Sequence, residues 1–192
     1  MQLIPLLQEI SQCTVCEAHL PFPPRPVVQA NTQARLLIIG QAPGLKVQQS
    51  GIPWNDASGK RLREWLQMDE QQFYDPTQVA IMPMGFCYPG KGKSGDLPPR
   101  KECAPKWHAQ LLARLPNIHT TLLIGQYAQK HYLKGSDFLK QYPSLTERVR
   151  NTHNAPNNII CLPHPSPRNQ IWLKKHPWFN QDILTYLQKR LG

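Results

Sequence analysis

The sequence has no continuous apolar stretch of about 18 residues, the length a membrane-spanning helix requires. Its first nine residues also lack the basic start and the small-residue cleavage site of a signal peptide. Internal repeats and low-complexity segments are absent. We therefore expect a soluble, cytoplasmic protein that does not bind membranes. At this length one domain is the default, and we expect it to span residues 1–192.

Acidic residues are few, because 12 Asp and Glu stand against 22 Lys and Arg and leave a formal net charge of +10. Such an excess favours a polyanionic partner, and nucleic acid is the leading one. Charge alone leaves a basic protein without such a partner as an equal alternative, since net charge governs association and not fold.

Disulfides are not expected, because the cysteines number five and the cytoplasm keeps thiols reduced. Four of them follow a spaced pattern, Cys13-x2-Cys16 and, after 70 intervening residues, Cys87-x15-Cys103. Thiolates suit an iron–sulfur cluster or a tetrahedral zinc ion, and the spacing does not choose between the two. The alternative is a set of buried apolar cysteines, an interpretation that suits Cys161 in its apolar run.

Apolar runs that are typical of buried parallel strands alternate with segments of helical periodicity. The predicted strands are residues 35–40, 79–82, 120–124 and 158–162. The predicted helices are residues 3–10, 59–68 with Ser58 as cap, 103–115, 126–133, and 171–191 with an interruption near Pro177. This alternation predicts an α/β fold, a three-layer α/β/α sandwich around a mostly parallel four-stranded sheet.

Two short segments follow the first and the last predicted strand. Gly40-Gln-Ala-Pro-Gly44 comes after the first, and His164-Pro-Ser-Pro-Arg-Asn169 comes after the fourth. Loops at the carboxyl ends of parallel strands face the crevice in which α/β proteins bind ligands. We therefore expect these two segments to form one site.

In order and separation, the two segments resemble the active-site motifs of uracil-DNA glycosylases, the water-activating segment and the His-Pro-Ser-Pro segment. The stretch from Gln49 to Gly59, Gln-Ser-Gly-Ile-Pro-Trp-Asn-Asp-Ala-Ser-Gly, resembles the Thr-Gly-x-Pro-Phe stretch of family 4 and family 5 enzymes. The cysteine layout is similar to that of family 4, whose members hold a 4Fe-4S cluster. The resemblance, over roughly residues 10–180, implies a 4Fe-4S cluster on Cys13, Cys16, Cys87 and Cys103, with zinc as the alternative.

The resemblance also implies roles in breaking the N-glycosidic bond of a flipped base. His164 would donate a hydrogen bond to the departing base, and Trp54 would stack on it. A structural hydrogen bond is the alternative for His164, and a place in the core is the alternative for Trp54. The residues expected to line the substrate pocket are Gly40, Ala42, Pro43, Gly44 and Asn55.

The sequence departs from these relatives at two places. Family 4 has Glu at the second position of the first motif and family 1 has Asp at the third, where this chain has Gln41 and Ala42. Asp56 is the nearest carboxylate and matches an Asp of family 5, so we expect it to orient or activate water, or else to cap a helix. Gln41 would position water or touch the base. Pro83 replaces the Asn that reads uracil in family 4, so hypoxanthine or xanthine are alternative substrates.

Together, the resemblance and the charge predict a DNA repair glycosylase that acts on DNA containing a damaged base and uses water as nucleophile. The residues expected to contact DNA are Ser166, Arg168, Asn169, Lys91 and Lys93. The alternative is a catalytically silent iron–sulfur or zinc DNA-binding protein on the same scaffold, which the missing carboxylate of the first motif supports. We expect a monomer, because no exposed apolar helix is evident.

Overall fold

Four parallel strands form one sheet in the order β2-β1-β3-β4 in the computed structural model, which describes residues 2–192. The strands are β1 (Leu36–Ile39), β2 (Val79–Ile81), β3 (Thr120–Ile124) and β4 (Ile159–Leu162). They lie within the four predicted apolar runs, and every pairing is parallel. Met1, the first residue of the predicted domain and of the segment searched for a signal peptide, lies outside the described residues.

Helices connect the strands and flank the sheet. They are α1 (Leu3–Ser11), α2 (Leu45–Ser50), α3 (Ala57–Leu66), α4 (Glu70–Tyr74), α5 (Cys103–Leu112), α6 (Gln126–Tyr132), α7 (Asp137–Gln141), α8 (Leu145–Arg150), α9 (Gln170–Lys175) and α10 (Leu184–Leu191). The predicted interruption near Pro177 is confirmed, because α9 ends before it and a π-helical turn, Phe179–Ile183, leads into α10. Within the described residues, each helix is too short or too polar to span a membrane.

Both faces of the sheet are buried, which confirms the three-layer arrangement. Successive residues of a strand point to opposite faces. On one face Leu37 and Ile39 belong to a core that includes α1 and α5. On the other face Leu36 and Ile38 belong to a core that includes α3 and α10. Because β1 is central and apolar on both sides, its carboxyl end opens between the two helical layers.

The start of α3 differs from the prediction. The helix begins at Ala57, and its cap is Asp56, whose Oδ1 accepts a hydrogen bond from the Gly59 amide at 2.8 Å. The predicted cap, Ser58, is wrong, since this residue is buried within the first turn. Asp is as good an N-cap as Ser, so the helix can start two residues earlier than the apolar periodicity suggests.

Candidate active site

A cavity of about 470 Å³ lies at the carboxyl ends of the strands, a size typical of ligand pockets. Its walls come from the segments after β1, β2 and β4, together with the start of α3. The predicted site residues that line it are Gly40, Gln41, Ala42, Pro43, Gly44, Trp54, Asp56, His164, Ser166 and Arg168. The two motifs therefore meet in one crevice, as the topology of a parallel sheet requires.

Trp54 and His164 stand side by side in this cavity, with ring centroids 5.6 Å apart and planes tilted by 35°. Trp54 has a φ of 56°, which is unusual for a bulky side chain. Two glycines make room for it. A Cβ atom on Gly40 would lie 2.8 Å from Trp54 Cζ2, and one on Gly59 would lie 1.6 Å from the Trp54 carbonyl oxygen. Such a sterically imposed conformation is typical of functional segments.

The surroundings of His164 fix its protonation and its tautomer. The Ser166 amide donates to Nδ1 at 3.2 Å, so the proton of the neutral ring lies on Nε2. Burial lowers the pKa of His164, and the nearby Asp56 raises it to a smaller extent. The ring is therefore held neutral, with Nε2–H as a donor to a ligand.

Asp56 divides its two carboxylate oxygens between two tasks. Oδ1 caps α3. Oδ2 reaches toward the segment after β1, where it would lie 3.8 Å from a Cβ atom on Gly44. The expected helix cap is thus confirmed, and the same side chain also lines the cavity. Its neighbour Asn55, a predicted substrate contact, is exposed and is not among the residues that line the cavity.

Gln41 uses its amide within the protein. Its side-chain Nε2 donates to the Leu97 carbonyl oxygen at 3.0 Å, and its backbone carbonyl oxygen accepts from the Gly85 amide at 3.0 Å. The side chain lines the cavity but also fastens the segment after β1 to the 90–97 loop, the segment of residues 90–97.

Sequence reasoning missed Asp96, a second carboxylate in the lining. Its Oδ2 would lie 3.6 Å from a Cβ atom on Gly44, so it reaches the same point as Asp56. The available signal was a lone acid in an otherwise basic loop. The predicted DNA contacts Lys91 and Lys93 lie on the same loop and are exposed, and neither lines the cavity. Pro83, the position that differs from family 4, does line it.

Hydrogen bonds between side chains and backbone within the segment after β4 hold its conformation. Ser166 Oγ accepts from the Arg168 amide at 3.2 Å, and Asn169 Nδ2 donates to the His164 carbonyl oxygen at 2.7 Å. Arg168 Nη1 donates to the Ser94 carbonyl oxygen at 3.2 Å and so reaches the 90–97 loop. Asn169 therefore supports His164 from outside the cavity lining, while Ser166 and Arg168 lie at its mouth.

Four cysteines from three separate segments of the chain lie close to one another. Every pair among Cys13, Cys16, Cys87 and Cys103 interacts electrostatically. Burial is the main reason that the pKa of Cys87 rises to about 12 and that of Cys103 to about 11. Cys161 lies apart from them, buried in β4 as a core residue.

These four cysteines are the donor set that a metal group in this part of the chain would use. No three His, Cys, Asp or Glu side chains between residues 2 and 192 are arranged to hold a metal ion. A single zinc ion draws its four sulfurs to about 2.3 Å from one centre, whereas a 4Fe-4S cluster places each thiolate on a different iron. The four thiols are free, and Cys103 Sγ accepts a hydrogen bond from the Phe86 amide at 3.3 Å.

A comparison with known protein families matches the part of the chain that forms the cavity. The model of a family described as the uracil DNA glycosylase superfamily matches residues 27–188. The match includes every residue that lines the cavity, as well as Cys87 and Cys103, while Cys13 and Cys16 precede it. Because it extends over most of the chain, the protein belongs to the uracil DNA glycosylase superfamily.

Proposed function

We propose that the protein is a DNA glycosylase that hydrolyses the N-glycosidic bond of uracil or another deaminated base. Membership of the superfamily supports an action on DNA. The observation that carries the proposal is the neutral His164, held with Nε2–H as donor beside Trp54 in a cavity that also contains carboxylates. These are the groups that base excision requires, namely a donor for the leaving base, a stacking surface and a means to activate water.

In the proposed reaction a flipped base enters the cavity and stacks on Trp54. Stacking on an aromatic side chain contributes about 1–3 kcal/mol per base. Negative charge develops on the base as the bond breaks, and His164 donates a hydrogen bond to the base oxygen that carries this charge. A donor placed in advance for such a charge is worth about 100- to 1,000-fold in rate. Asp56 Oδ2 orients the attacking water.

The preferred base follows from Pro83, which lines the cavity without a side-chain hydrogen-bonding group. A site without a polar side chain at this position depends on backbone groups and His164 to recognise the edge of the base. We therefore propose deaminated bases as a class, with hypoxanthine and xanthine beside uracil.

The contacts to DNA that we propose lie around the mouth of the cavity. Ser166 and Arg168 line it, and Lys91 and Lys93 extend from the neighbouring 90–97 loop. The net charge of +10 supports binding to the phosphate backbone. Asn169 acts through its hydrogen bond to the His164 carbonyl oxygen and positions the loop.

We further propose that Cys13, Cys16, Cys87 and Cys103 hold a 4Fe-4S cluster, as in family 4. Support comes from the mutual proximity of the four thiols and from the resemblance in their spacing. Such a cluster would tie the segment after α1 to the segments that lead to and from the 90–97 loop, and its part would be structural. A zinc ion at the same thiols is the alternative.

An excision assay tests the function. Purified protein is incubated with oligonucleotides that carry uracil, hypoxanthine, xanthine or a G:T mismatch, and alkali reveals abasic sites. We expect cleavage at one or more of these lesions, and a rate about 100- to 1,000-fold lower for His164→Ala. His153→Ala, at an exposed histidine, is the matched control and keeps the wild-type rate.

The second candidate function, a catalytically silent DNA-binding protein, is favoured by one observation. Gln41 and Ala42 carry no carboxylate, and the Gln41 amide is used to fasten the 90–97 loop. Tight, salt-sensitive DNA binding without excision of any lesion in the panel would replace the glycosylase proposal by this one.

A further inference from the structure

The 90–97 loop brings Asp96 to the same point of the cavity that Asp56 reaches. The two Oδ2 atoms would lie 3.6 Å and 3.8 Å from a Cβ atom on Gly44. Because glycine has no side chain, no protein atom fills the space beside it, and both carboxylates face the same small part of the cavity. A water molecule that attacks a bound base would be oriented by two acidic side chains at this point.

The position of the 90–97 loop is fixed by the two motifs themselves. Gln41 Nε2 donates to the Leu97 carbonyl oxygen at 3.0 Å, and Arg168 Nη1 donates to the Ser94 carbonyl oxygen at 3.2 Å. Within the loop, the Leu97 amide donates to the Gly90 carbonyl oxygen at 2.8 Å. Asp96 is thus held against the site from both sides, although it lies far from either motif in sequence.

Asp56 and Asp96 differ in how many hydrogen bonds their carboxylate oxygens accept from the protein. Oδ1 of Asp56 is committed to the Gly59 amide as the cap of α3. Neither oxygen of Asp96 accepts a hydrogen bond from any residue that the structure describes. A carboxylate without such bonds accepts a proton more readily, because hydrogen bonds to the charged form stabilise it.

The charged groups around Asp96 are Arg168, Asp56 and Lys91. Although Asp96 is an exposed residue, partial desolvation of its carboxylate raises its pKa; Arg168 opposes this rise, Asp56 reinforces it and Lys91 opposes it. The net direction of the shift in the pKa of Asp96 is upward, and a carboxylate with a raised pKa accepts a proton more readily. DNA bound over the mouth of the cavity would remove further water from this group.

We propose that Asp96 is the general base of the reaction, the group that accepts the proton of the attacking water while Asp56 orients that water. The inference rests on the glycosylase function proposed above. The water oxygen forms a bond to C1′ of the sugar, and the bond from C1′ to the base nitrogen breaks. The electron pair of that bond goes to the base, where His164 stabilises it. The water proton passes to Asp96, which later releases it to solvent.

Three variants test this assignment in single-turnover excision of whichever lesion the wild type cleaves. Asp96→Asn removes the proton acceptor, and we expect the rate to fall by about 100-fold or more. Asp56→Asn keeps one oxygen for the cap and places an NH2 group where Oδ2 was, which can still hold a water molecule as a donor, so we expect a smaller fall. Asp137→Asn, at an exposed carboxylate paired only with Lys140, is the matched control for lost charge and keeps the wild-type rate.

Two further readouts separate a general base from a structural residue. The wild-type rate should fall on the acid side of the pH profile as Asp96 is protonated, and this acid limb should disappear in Asp96→Asn. The affinity of Asp96→Asn for an oligonucleotide with a tetrahydrofuran abasic-site analogue should stay within threefold of the wild-type affinity. Asp96→Glu, which restores the carboxylate, should recover part of the rate.

The outcomes are distinct. A wild type that excises no lesion overturns the glycosylase proposal and this inference with it. A wild type that excises, together with an Asp96→Asn variant of equal rate or of unchanged acid limb, overturns this inference alone. Equal losses of rate and of abasic-site affinity in Asp96→Asn would make Asp96 a DNA contact and also overturn it.

Discussion

At the scale of single residues, two glycines decide where Trp54 lies, and their substitution should have different effects. A methyl group at Gly40 would meet the Trp54 ring at 2.8 Å, so the ring must move. A methyl group at Gly59 would lie 1.6 Å from the Trp54 carbonyl oxygen, and relieving this clash requires the backbone itself to move. We expect Gly40→Ala to lower excision by tenfold or more with little loss of stability, and Gly59→Ala to cost about 1–3 kcal/mol of unfolding free energy.

Denaturant unfolding and single-turnover excision on the same two proteins check this prediction. Trp54→Ala serves as the reference for complete loss of the stacking surface. A Gly59→Ala variant as stable as the wild type would show that the approach of α3 to Trp54 is not tight.

Gly44 offers a sharper probe of the space between the two acids. A methyl group there makes ordinary contacts of 3.6 Å and 3.8 Å with the Asp96 and Asp56 oxygens, and φ is −82°, which alanine adopts freely. We expect Gly44→Ala to fold with an unchanged Tm and to excise at least tenfold more slowly, because the methyl group displaces water. A normal rate at normal stability would place the attacking water elsewhere.

Which site residues the sequence could predict depends on how far their neighbours lie along the chain. Trp54, Asp56 and His164 were found because each lies in or near a short motif that follows a strand. Asp96 was missed, since its contact with the cavity depends on hydrogen bonds from residues more than 50 positions away in either direction. Asn55 is predicted to line the substrate pocket, but it is exposed directly after Trp54, whose φ is positive.

At the scale of elements, α5 carries a buried histidine beneath the cavity. His108 is 3% exposed, donates from Nε2 to the Pro83 carbonyl oxygen at 3.1 Å and accepts at Nδ1 from the Tyr132 hydroxyl at 2.6 Å. Burial lowers its pKa to about 4. The unfolded state, with a pKa of about 6.5, binds more protons as pH falls below 6.5. Folding with a neutral His108 therefore carries no free-energy cost above about pH 6.5, and the unfolding free energy falls as the pH drops from there toward 4.

We expect the unfolding free energy of the wild type to fall by about 3 kcal/mol between pH 7 and pH 4 from this group. His108→Gln should reduce that pH dependence, whereas His153→Gln, at an exposed site, should leave it unchanged. Denaturant titrations at several pH values measure it. Equal pH slopes for the wild type and His108→Gln would mean that the histidine is protonated in the folded protein.

The elements show how local signals succeed and fail. The strands are predictable because three or four apolar residues in a row have few alternatives to burial in a sheet. The short helices α2, α4, α7 and α8 were missed, as one or two turns are too short to display a helical period. Two of them nonetheless begin with capping boxes, Asp69 with Gln72 and Ser144 with Glu147. These four-residue capping patterns can be read from the sequence and would have predicted the starts of α4 and α8.

At the scale of the whole molecule, the four cysteines join an amino-terminal segment to the part of the chain that surrounds the cavity. If they hold a 4Fe-4S cluster, the purified protein should be brown and absorb broadly near 400 nm. Cys13→Ser should lose this absorption together with several degrees of Tm. Cys161→Ala, at the core cysteine, is the matched control and keeps the absorption. A colourless protein that contains one zinc ion would contradict the cluster.

The excess of positive charge should appear in the salt dependence of DNA binding. Each phosphate contact contributes about −0.9 to the slope of log K against log salt concentration. We expect Lys91→Gln and Lys93→Gln each to reduce the magnitude of the slope by about 1, because both side chains are exposed beside the cavity. Lys140→Gln, at a cation already paired with Asp137, should leave the slope unchanged. Fluorescence anisotropy over a salt series measures it, and equal slopes for all three variants would mean that DNA approaches the cavity from another side.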